Sequence, residues 1–96
     1  MIRLKRKRVR LEATPQSLQH DEWILRWARE YLEDPDVVTV APVIGPHSID
    51  LIVFEKGAIR FIEAKGAKAQ QSPLEKHVQE VIERTPMLTY EIRRYR

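Results

Sequence analysis

The sequence contains no cysteine, few glycines and no hydrophobic segment long enough to cross a membrane. The absence of cysteine excludes a disulfide framework and a zinc site built from thiolates. Charged residues interrupt the apolar ones near the start of the chain, so the hydrophobic region of a signal peptide cannot form there. We therefore expect a cytoplasmic protein without a membrane segment. Its 96 residues make one small domain with a modest core, for which we expect a homodimer.

The net charge of +3 combines basic ends with an acidic middle. Residues 1–10 hold six basic groups and no acid, and three arginines lie within the last four positions. Residues 11–92 carry eight basic side chains against 14 acidic ones. Basic segments like these typically contact phosphates, because binding releases counterions, and the alternative is a solubilising tail. The residues predicted to contact nucleic acid are Lys5, Arg6, Lys7, Arg8, Arg10, Lys68, Arg93 and Arg94.

Hydrophobic periodicity predicts a helix, three strands, a second helix and a fourth strand. The first helix should begin at Thr14-Pro15, where a capping residue precedes proline, and end near Glu33. Ser72 and Glu75 form a capping box at the start of the second helix, which should end before residue 85. A right-handed crossover through that helix should make the last two strands parallel. The strands are predicted at residues 37–43, 49–54, 58–65 and 88–95.

This order predicts an α/β domain, in which a mixed sheet is flanked by two helices. Residues 14–96 should form the domain, and residues 1–13 a basic arm or an additional strand. The predicted packing face of the first helix comprises Leu18, Leu25, Ala28 and Leu32, widened by Ile24 and Tyr31. That of the second comprises Leu74, Val78, Val81 and Ile82. Trp23 and Trp27 lie on the other side of the first helix. They would form a stacking platform for bases, form a dimer contact or pack beneath the arm.

The second and third strands carry a candidate site in which Asp50 precedes Glu63 and Lys65. Because strand side chains alternate, Glu63 and Lys65 share one face, and Asp50 lies at the end of the neighbouring strand. Two such acids can hold a hard divalent cation, and a nearby ammonium can steer or activate a water molecule. The alternative is a solvated ion pair on an edge strand. The hydrophobic residues of both strands instead indicate central, buried strands, where charged groups need a partner or a metal.

The string DLIVF at residues 50–54, a short turn and RFIEAKG at residues 60–66 resemble the PD-(D/E)XK nuclease superfamily. Within it, the sequence is most similar to stand-alone VRR-NUC domains and archaeal-type Holliday-junction resolvases. The likeness covers about residues 17–95. It implies a restriction-endonuclease-like fold and hydrolysis of DNA with Mg²⁺, for which Mn²⁺ substitutes.

The resemblance also implies roles for individual residues. Asp50 and Glu63 would bind the cation, Lys65 would assist the attacking water, and the carbonyl of Ala64 would be a further ligand. Many members add an acid from the first helix. Glu22 matches that position, with Asp21 as the competing choice, and the alternative for Glu22 is an acid favoured by the helix dipole.

Two positions depart from the pattern of the superfamily. Ile49 replaces the proline that usually precedes the first catalytic Asp, and Glu75 stands where relatives often place a glutamine near the second helix. The capping box accounts for Glu75, so Gln70, Gln71 or Gln79 substitutes or no equivalent exists. His47, three residues before Asp50, is either a phosphate or proton-transfer contact or a turn residue without a role.

We therefore expect a magnesium-dependent DNA endonuclease. A domain this small offers few loops for reading sequence, so we expect cleavage selected by DNA structure, at branched or junction DNA, by a homodimer. The first alternative is a non-catalytic nucleic-acid-binding module that retains the nuclease fold. A basic protein associated with RNA or the ribosome is the second, and it leaves the arrangement of acids and lysine unexplained.

Overall fold

The computed structural model of the chain describes residues 15–43 and 49–96, with side chains from residue 18 onward. Within that part the architecture is mixed α/β, with two helices and four strands in the predicted order α-β-β-β-α-β. No helix there is long and apolar enough to cross a membrane. The elements are α1 (Pro15–Leu32), β1 (Val37–Pro42), β2 (Leu51–Glu55), β3 (Ala58–Gly66), α2 (Pro73–Glu83) and β4 (Leu88–Tyr95).

Some of the predictions fall on residues outside the described part of the chain. These are the basic arm or strand at residues 1–13 with its phosphate-binding side chains, the helix cap Thr14, and the turn containing His47.

The four strands form one sheet in the order β1-β2-β3-β4. β1 and β3 each pair antiparallel with β2, whereas β3 and β4 are parallel, as the crossover through α2 predicted. Glu55 pairs with Ala58, so the turn of the central hairpin consists of Lys56 and Gly57. Gly57 has φ +87°, a conformation that other residues rarely adopt. This tight turn fixes the register of β2 against β3.

The core lies between α1 and one face of the two central strands. Leu51 and Val53 of β2 and Ile62 of β3 are fully buried, and Ala64 is nearly so. These residues alternate along their strands, so the intervening residues of β3, including Glu63, face the opposite side of the sheet. Both strands are central in the sheet, as their hydrophobic composition predicted, and each buries residues on the face toward α1, whereas most residues of the opposite face are half-buried.

The predicted packing face of α1 was right for Ile24, Ala28 and Tyr31 and wrong for its three leucines. Leu18, Leu25 and Leu32 are 53%, 45% and 53% exposed, whereas Trp27 is buried and packs in the core with Ile24. The helix carries two apolar stripes, and a tryptophan buries about 150–250 Å² of surface, more than a leucine can. Rotating α1 so that its aromatic stripe faces the sheet therefore removes more apolar area from water.

The predicted face of α2 was wrong for Leu74 and Val81, which are 62% and 49% exposed, whereas Ile82 is buried. The capping box of Ser72 and Glu75 is present, as predicted. α2 packs mainly against β4. The sheet face on this side carries Ile52, Phe54, Ile59 and Phe61 beside Glu63, and these four residues are only half-buried. α2 therefore covers this face only in part, and Leu74 and Val81 lie on the side of the helix turned away from the sheet.

Candidate functional site

Glu63 is a fully buried carboxylate on the central strand β3. Its Oε2 atom accepts a hydrogen bond from the phenol of Tyr90 on β4 and lies 3.2 Å from the side-chain nitrogen of Gln71. Its Oε1 atom has no hydrogen-bond partner among residues 18–43 and 49–96. The ammonium of Lys65 is 3.3 Å from Oε1, close enough for an ion pair but not aligned for a hydrogen bond. One oxygen of a buried charged group is therefore only partly compensated.

Lys65 links Glu63 to the start of α2. Its Nζ atom donates a hydrogen bond of 2.8 Å to Oε1 of Glu75. The same oxygen accepts a hydrogen bond of 2.7 Å from the backbone nitrogen of Ser72, within the capping box. Glu75 is therefore the second carboxylate beside Lys65, in addition to its role in capping α2. This contact between two elements had no signal in the sequence beyond the capping box itself.

Gln71, in the loop between β3 and α2, is the glutamine that reaches the site. Its Nε2 atom lies within hydrogen-bonding distance of Glu63 Oε2, of Gln79 Oε1 at 2.8 Å and of the Tyr90 hydroxyl at 3.1 Å. Of the three glutamines considered from the sequence, Gln71 contacts Glu63 directly, and Gln79 holds the amide of Gln71. Gln70 is exposed.

Asp50 immediately precedes β2 and is 5% exposed. Its backbone nitrogen donates to the carbonyl of Ile62, and its Oδ2 atom accepts a 2.7 Å hydrogen bond from the backbone nitrogen of Ala64. The carboxylate thus takes the place of a strand carbonyl where the pairing of β2 with β3 ends. This hydrogen bond holds Asp50 beside the peptide between Glu63 and Ala64, and the Oδ1 atom takes no part in it.

His20 of α1 is a residue of the site that the sequence reasoning missed. Its Nε2 atom lies 3.5 Å from Asp50 Oδ1 and 3.3 Å from the carbonyl oxygen of Ala64. Its Nδ1 atom lies 3.5 Å from Asp21 Oδ1. A signal did exist in the sequence, because His20 precedes the buried Ile24 by four residues and therefore lies on the same helix face.

Two groups in this cluster have raised pKa values. The hydrogen bond to Asp50 raises the pKa of His20 above 6.5, against the lowering effect of burial, and the charge of Asp50 and the contact with Asp21 add to the rise. Burial chiefly raises the pKa of the Tyr95 phenol, with smaller contributions from the charges of Asp50 and Asp21. The rings of His20 and Tyr95 meet edge to face, with centroids 5.8 Å apart. Tyr95, at the end of β4, therefore packs against His20 at the edge of the site.

The two candidate acids of α1 lie in different surroundings. Glu22 is exposed, and it lines a shallow depression together with Leu25, Arg26 and Arg29. Asp21 is half-buried and lies beside His20. Asp21 is therefore connected to Asp50 through His20, whereas Glu22 lies on the leucine stripe of the helix.

The predicted phosphate-binding side chains within the described residues divide into two kinds. Lys68 is exposed in the loop after β3. Arg93 is 2.9 Å from Glu30 Oε2 and stacks on Trp27, 4.6 Å from the ring centroid. Arg94 donates hydrogen bonds to the carbonyls of Gly66 and Ala69. Both arginines therefore make contacts within the fold that a phosphate would have to share or replace.

The site thus consists of two clusters joined by the Glu63–Ala64 peptide, one around Glu63 and Lys65 and the other around Asp50 and His20. Within residues 15–43 and 49–96, no group of three or more His, Cys, Asp or Glu side chains is placed to hold a metal ion. Comparison with protein-family models, curated proteins and solved structures found no match to this chain.

Proposed function

We propose that the chain is a metal-dependent DNA endonuclease of the restriction-endonuclease-like fold, within the PD-(D/E)XK superfamily. The observation that carries the proposal is the fully buried carboxylate of Glu63 with the Lys65 ammonium 3.3 Å away on a central strand. Burying a carboxylate and an ammonium together costs free energy, and buried ionisable groups concentrate at functional sites. The element order and the parallel crossover are those that the resemblance implies.

The expected cation is Mg²⁺, with Mn²⁺ as a substitute, and Asp50, Glu63 and the Ala64 carbonyl would hold it. Two observations support the fit of these residues to a hard cation. Oε1 of Glu63 is a buried oxygen without a hydrogen bond from the described residues. Asp50 Oδ1 and the Ala64 carbonyl oxygen both approach the same nitrogen of His20.

Few protein ligands are needed, because Mg²⁺ usually keeps several water molecules and takes only one or two carboxylates. Two carboxylates and one backbone carbonyl can therefore hold the ion without a third acid. When bound, such an ion makes a coordinated water more acidic and stabilises negative charge on phosphate oxygens.

Lys65 has the position needed to orient the attacking water and to stabilise charge on the phosphate. Its ammonium is fixed between Glu63 and Glu75 and is 17% exposed. An ammonium has three N–H donors, so at least one remains for a water or phosphate oxygen. A preorganised donor in a site that excludes water stabilises developing charge more strongly than one in bulk solvent.

DNA binding would depend on the basic residues outside this acidic pocket, with strong salt dependence. Lys68 follows Lys65 by three residues and is exposed, which suits it to contact the backbone of a bound strand. A domain of this size has few loops for reading bases, which supports selection of branched or junction DNA. A homodimer, which supplies two cutting sites for two strands, completes the proposal.

The test is incubation of the chain with supercoiled, linear and four-way-junction DNA, with and without Mg²⁺ or Mn²⁺. We expect metal-dependent cleavage that is lost in Glu63→Gln and Lys65→Ala while DNA binding is retained. Glu80→Gln and Lys76→Ala, which change exposed residues of α2, are the matched controls. Binding without cleavage by the wild type under every metal condition would support the non-catalytic module instead.

A further inference from the structure

The position of His20 relative to two predicted ligands has a consequence for the proposed cation site. The Nε2 atom lies 3.5 Å from Asp50 Oδ1 and 3.3 Å from the Ala64 carbonyl oxygen. A metal–ligand distance of about 2.1 Å places neighbouring octahedral ligands about 3.0 Å apart. The nitrogen is therefore separated from both oxygens by nearly the distance between neighbouring ligands of one ion. Movements of a few tenths of an ångström would bring this nitrogen and the two oxygens to the separations of neighbouring ligands of one ion.

Asp21 supports the same arrangement from the far side of the ring. A histidine that binds a metal through one nitrogen usually donates its other N–H to a carboxylate, which fixes the tautomer and the ring orientation. Nδ1 of His20 lies 3.5 Å from Asp21 Oδ1, while Nε2 is directed at Asp50 and Ala64. The adjacent pair His20-Asp21 thus contains both the nitrogen ligand and its orienting acid.

We infer that His20, oriented by Asp21, is the α1 ligand of the cation site, in place of Glu22. This inference rests on the proposed function, since it concerns the same site. Glu22 is exposed on the leucine stripe of α1, whereas His20 lies on the stripe that faces the sheet. The structure therefore favours the histidine as the residue through which α1 reaches the cation.

A nitrogen ligand changes which cation the site prefers. Magnesium favours oxygen ligands, whereas an imidazole suits first-row transition cations better. With His20 in the ligand set, Mn²⁺ binds more tightly than Mg²⁺, and the preference depends on the histidine. If His20 only anchored α1 to Asp50 through a hydrogen bond, replacing it would alter stability and leave the ratio of the two affinities unchanged.

The test is calorimetric titration of Mn²⁺ and of Mg²⁺ into the wild type and single variants without DNA. His20→Gln retains a side-chain donor that can reach Ala64, so the fold should persist, and thermal unfolding checks this. We expect His20→Gln to weaken Mn²⁺ binding at least about tenfold and to weaken Mg²⁺ binding less. Asp21→Asn should weaken Mn²⁺ binding about tenfold. Glu22→Gln and His77→Gln, an exposed histidine on α2, should leave both affinities unchanged.

A second measurement needs no substitution. In NMR spectra of the histidine rings, bound Mn²⁺ should broaden the signals of His20 at lower occupancy than those of His77. Undisturbed His20 signals at saturating Mn²⁺ would overturn the assignment.

The outcomes separate this inference from the proposed function. If His20→Gln binds Mn²⁺ as tightly as the wild type while Asp50→Asn does not bind it, the histidine is not a ligand and the proposed site stands. If Glu22→Gln alone loses affinity, the acid of α1 is the ligand instead. If the wild type binds neither cation, both the inference and the proposed metal dependence fail.

Discussion

The phenol of Tyr90 on β4 donates a hydrogen bond to Oε2 of Glu63 on the neighbouring parallel strand β3. The amide of Gln71 approaches the same oxygen, so Oε2 has two donors, while Lys65 is the charged group beside Oε1 among the residues that the structure describes. The parallel pairing therefore does more than extend the sheet. It brings a donor from a distant part of the sequence to one side of the buried acid and leaves the other side to the lysine.

Removing the Tyr90 hydroxyl should destabilise the fold. Tyr90→Phe leaves a buried carboxylate with one donor fewer, and we expect a loss of about 1–3 kcal/mol in the free energy of unfolding, measured in urea. In the background of Glu63→Leu the same substitution should have a smaller effect, because the two residues are coupled. Equal effects of Tyr90→Phe in both backgrounds would contradict the hydrogen bond.

Glu75 should affect stability and activity through separate contacts. Ser72→Ala removes the side-chain cap of α2 and should cost about 0.5–2 kcal/mol of unfolding free energy without slowing DNA cleavage. Glu75→Gln keeps a residue suited to the capping box and removes the negative charge beside Lys65. We expect that variant to lose little stability in urea unfolding and to cleave DNA more slowly. A Ser72→Ala protein with equally impaired cleavage would argue against this division.

The raised pKa of His20 predicts how stability depends on pH. The protonated ring interacts with Asp50 in the folded state, so its contribution is complete below the unfolded value of 6.5. The contribution is lost as pH rises through the higher pKa of the folded state. Urea unfolding of the wild type and of His20→Gln should therefore give stability curves whose difference shrinks from about pH 5 to pH 8.

The control for this pH series is His77→Gln, which changes an exposed histidine on α2. Its stability should differ from that of the wild type by an amount that stays nearly constant over the same range. A constant difference for His20→Gln as well would show that the ring does not interact with Asp50 in its protonated form.

The two apolar stripes of α1 should respond differently to truncation. Trp27→Ala removes a buried ring from the core and should cost about 3–5 kcal/mol in unfolding free energy. Leu25→Ala truncates a side chain that is 45% exposed and should cost less than about 1 kcal/mol. Thermal or urea unfolding measures both. A larger effect at Leu25 than at Trp27 would restore the helix face that the leucine spacing predicted.

Local signals in the sequence were enough to predict the helices and strands of the residues that the structure describes. The capping box of Ser72 and Glu75 located the start of α2, and β4 was predicted at its observed bounds, Leu88–Tyr95. The glycine turn and the hydrophobic runs located the central hairpin, and the crossover rule predicted that β3 and β4 are parallel. Each of these features depends on a few neighbouring residues or on a general rule of chain connection. These features can therefore be predicted from the sequence without knowledge of the rest of the fold.

Tertiary structure decided which side chains meet. The leucine spacing and the aromatic spacing of α1 were both valid helical patterns. Only packing against β2 and β3 added Trp27 to the predicted Ile24 and Ala28 in the core and left the leucines exposed. That rotation is what brings His20 to Asp50. In the same way, Tyr90 and Gln71 reach Glu63 across elements far apart in the sequence. Periodicity determines the relative positions of residues on one element, whereas the burial of apolar area between elements determines how that element is turned.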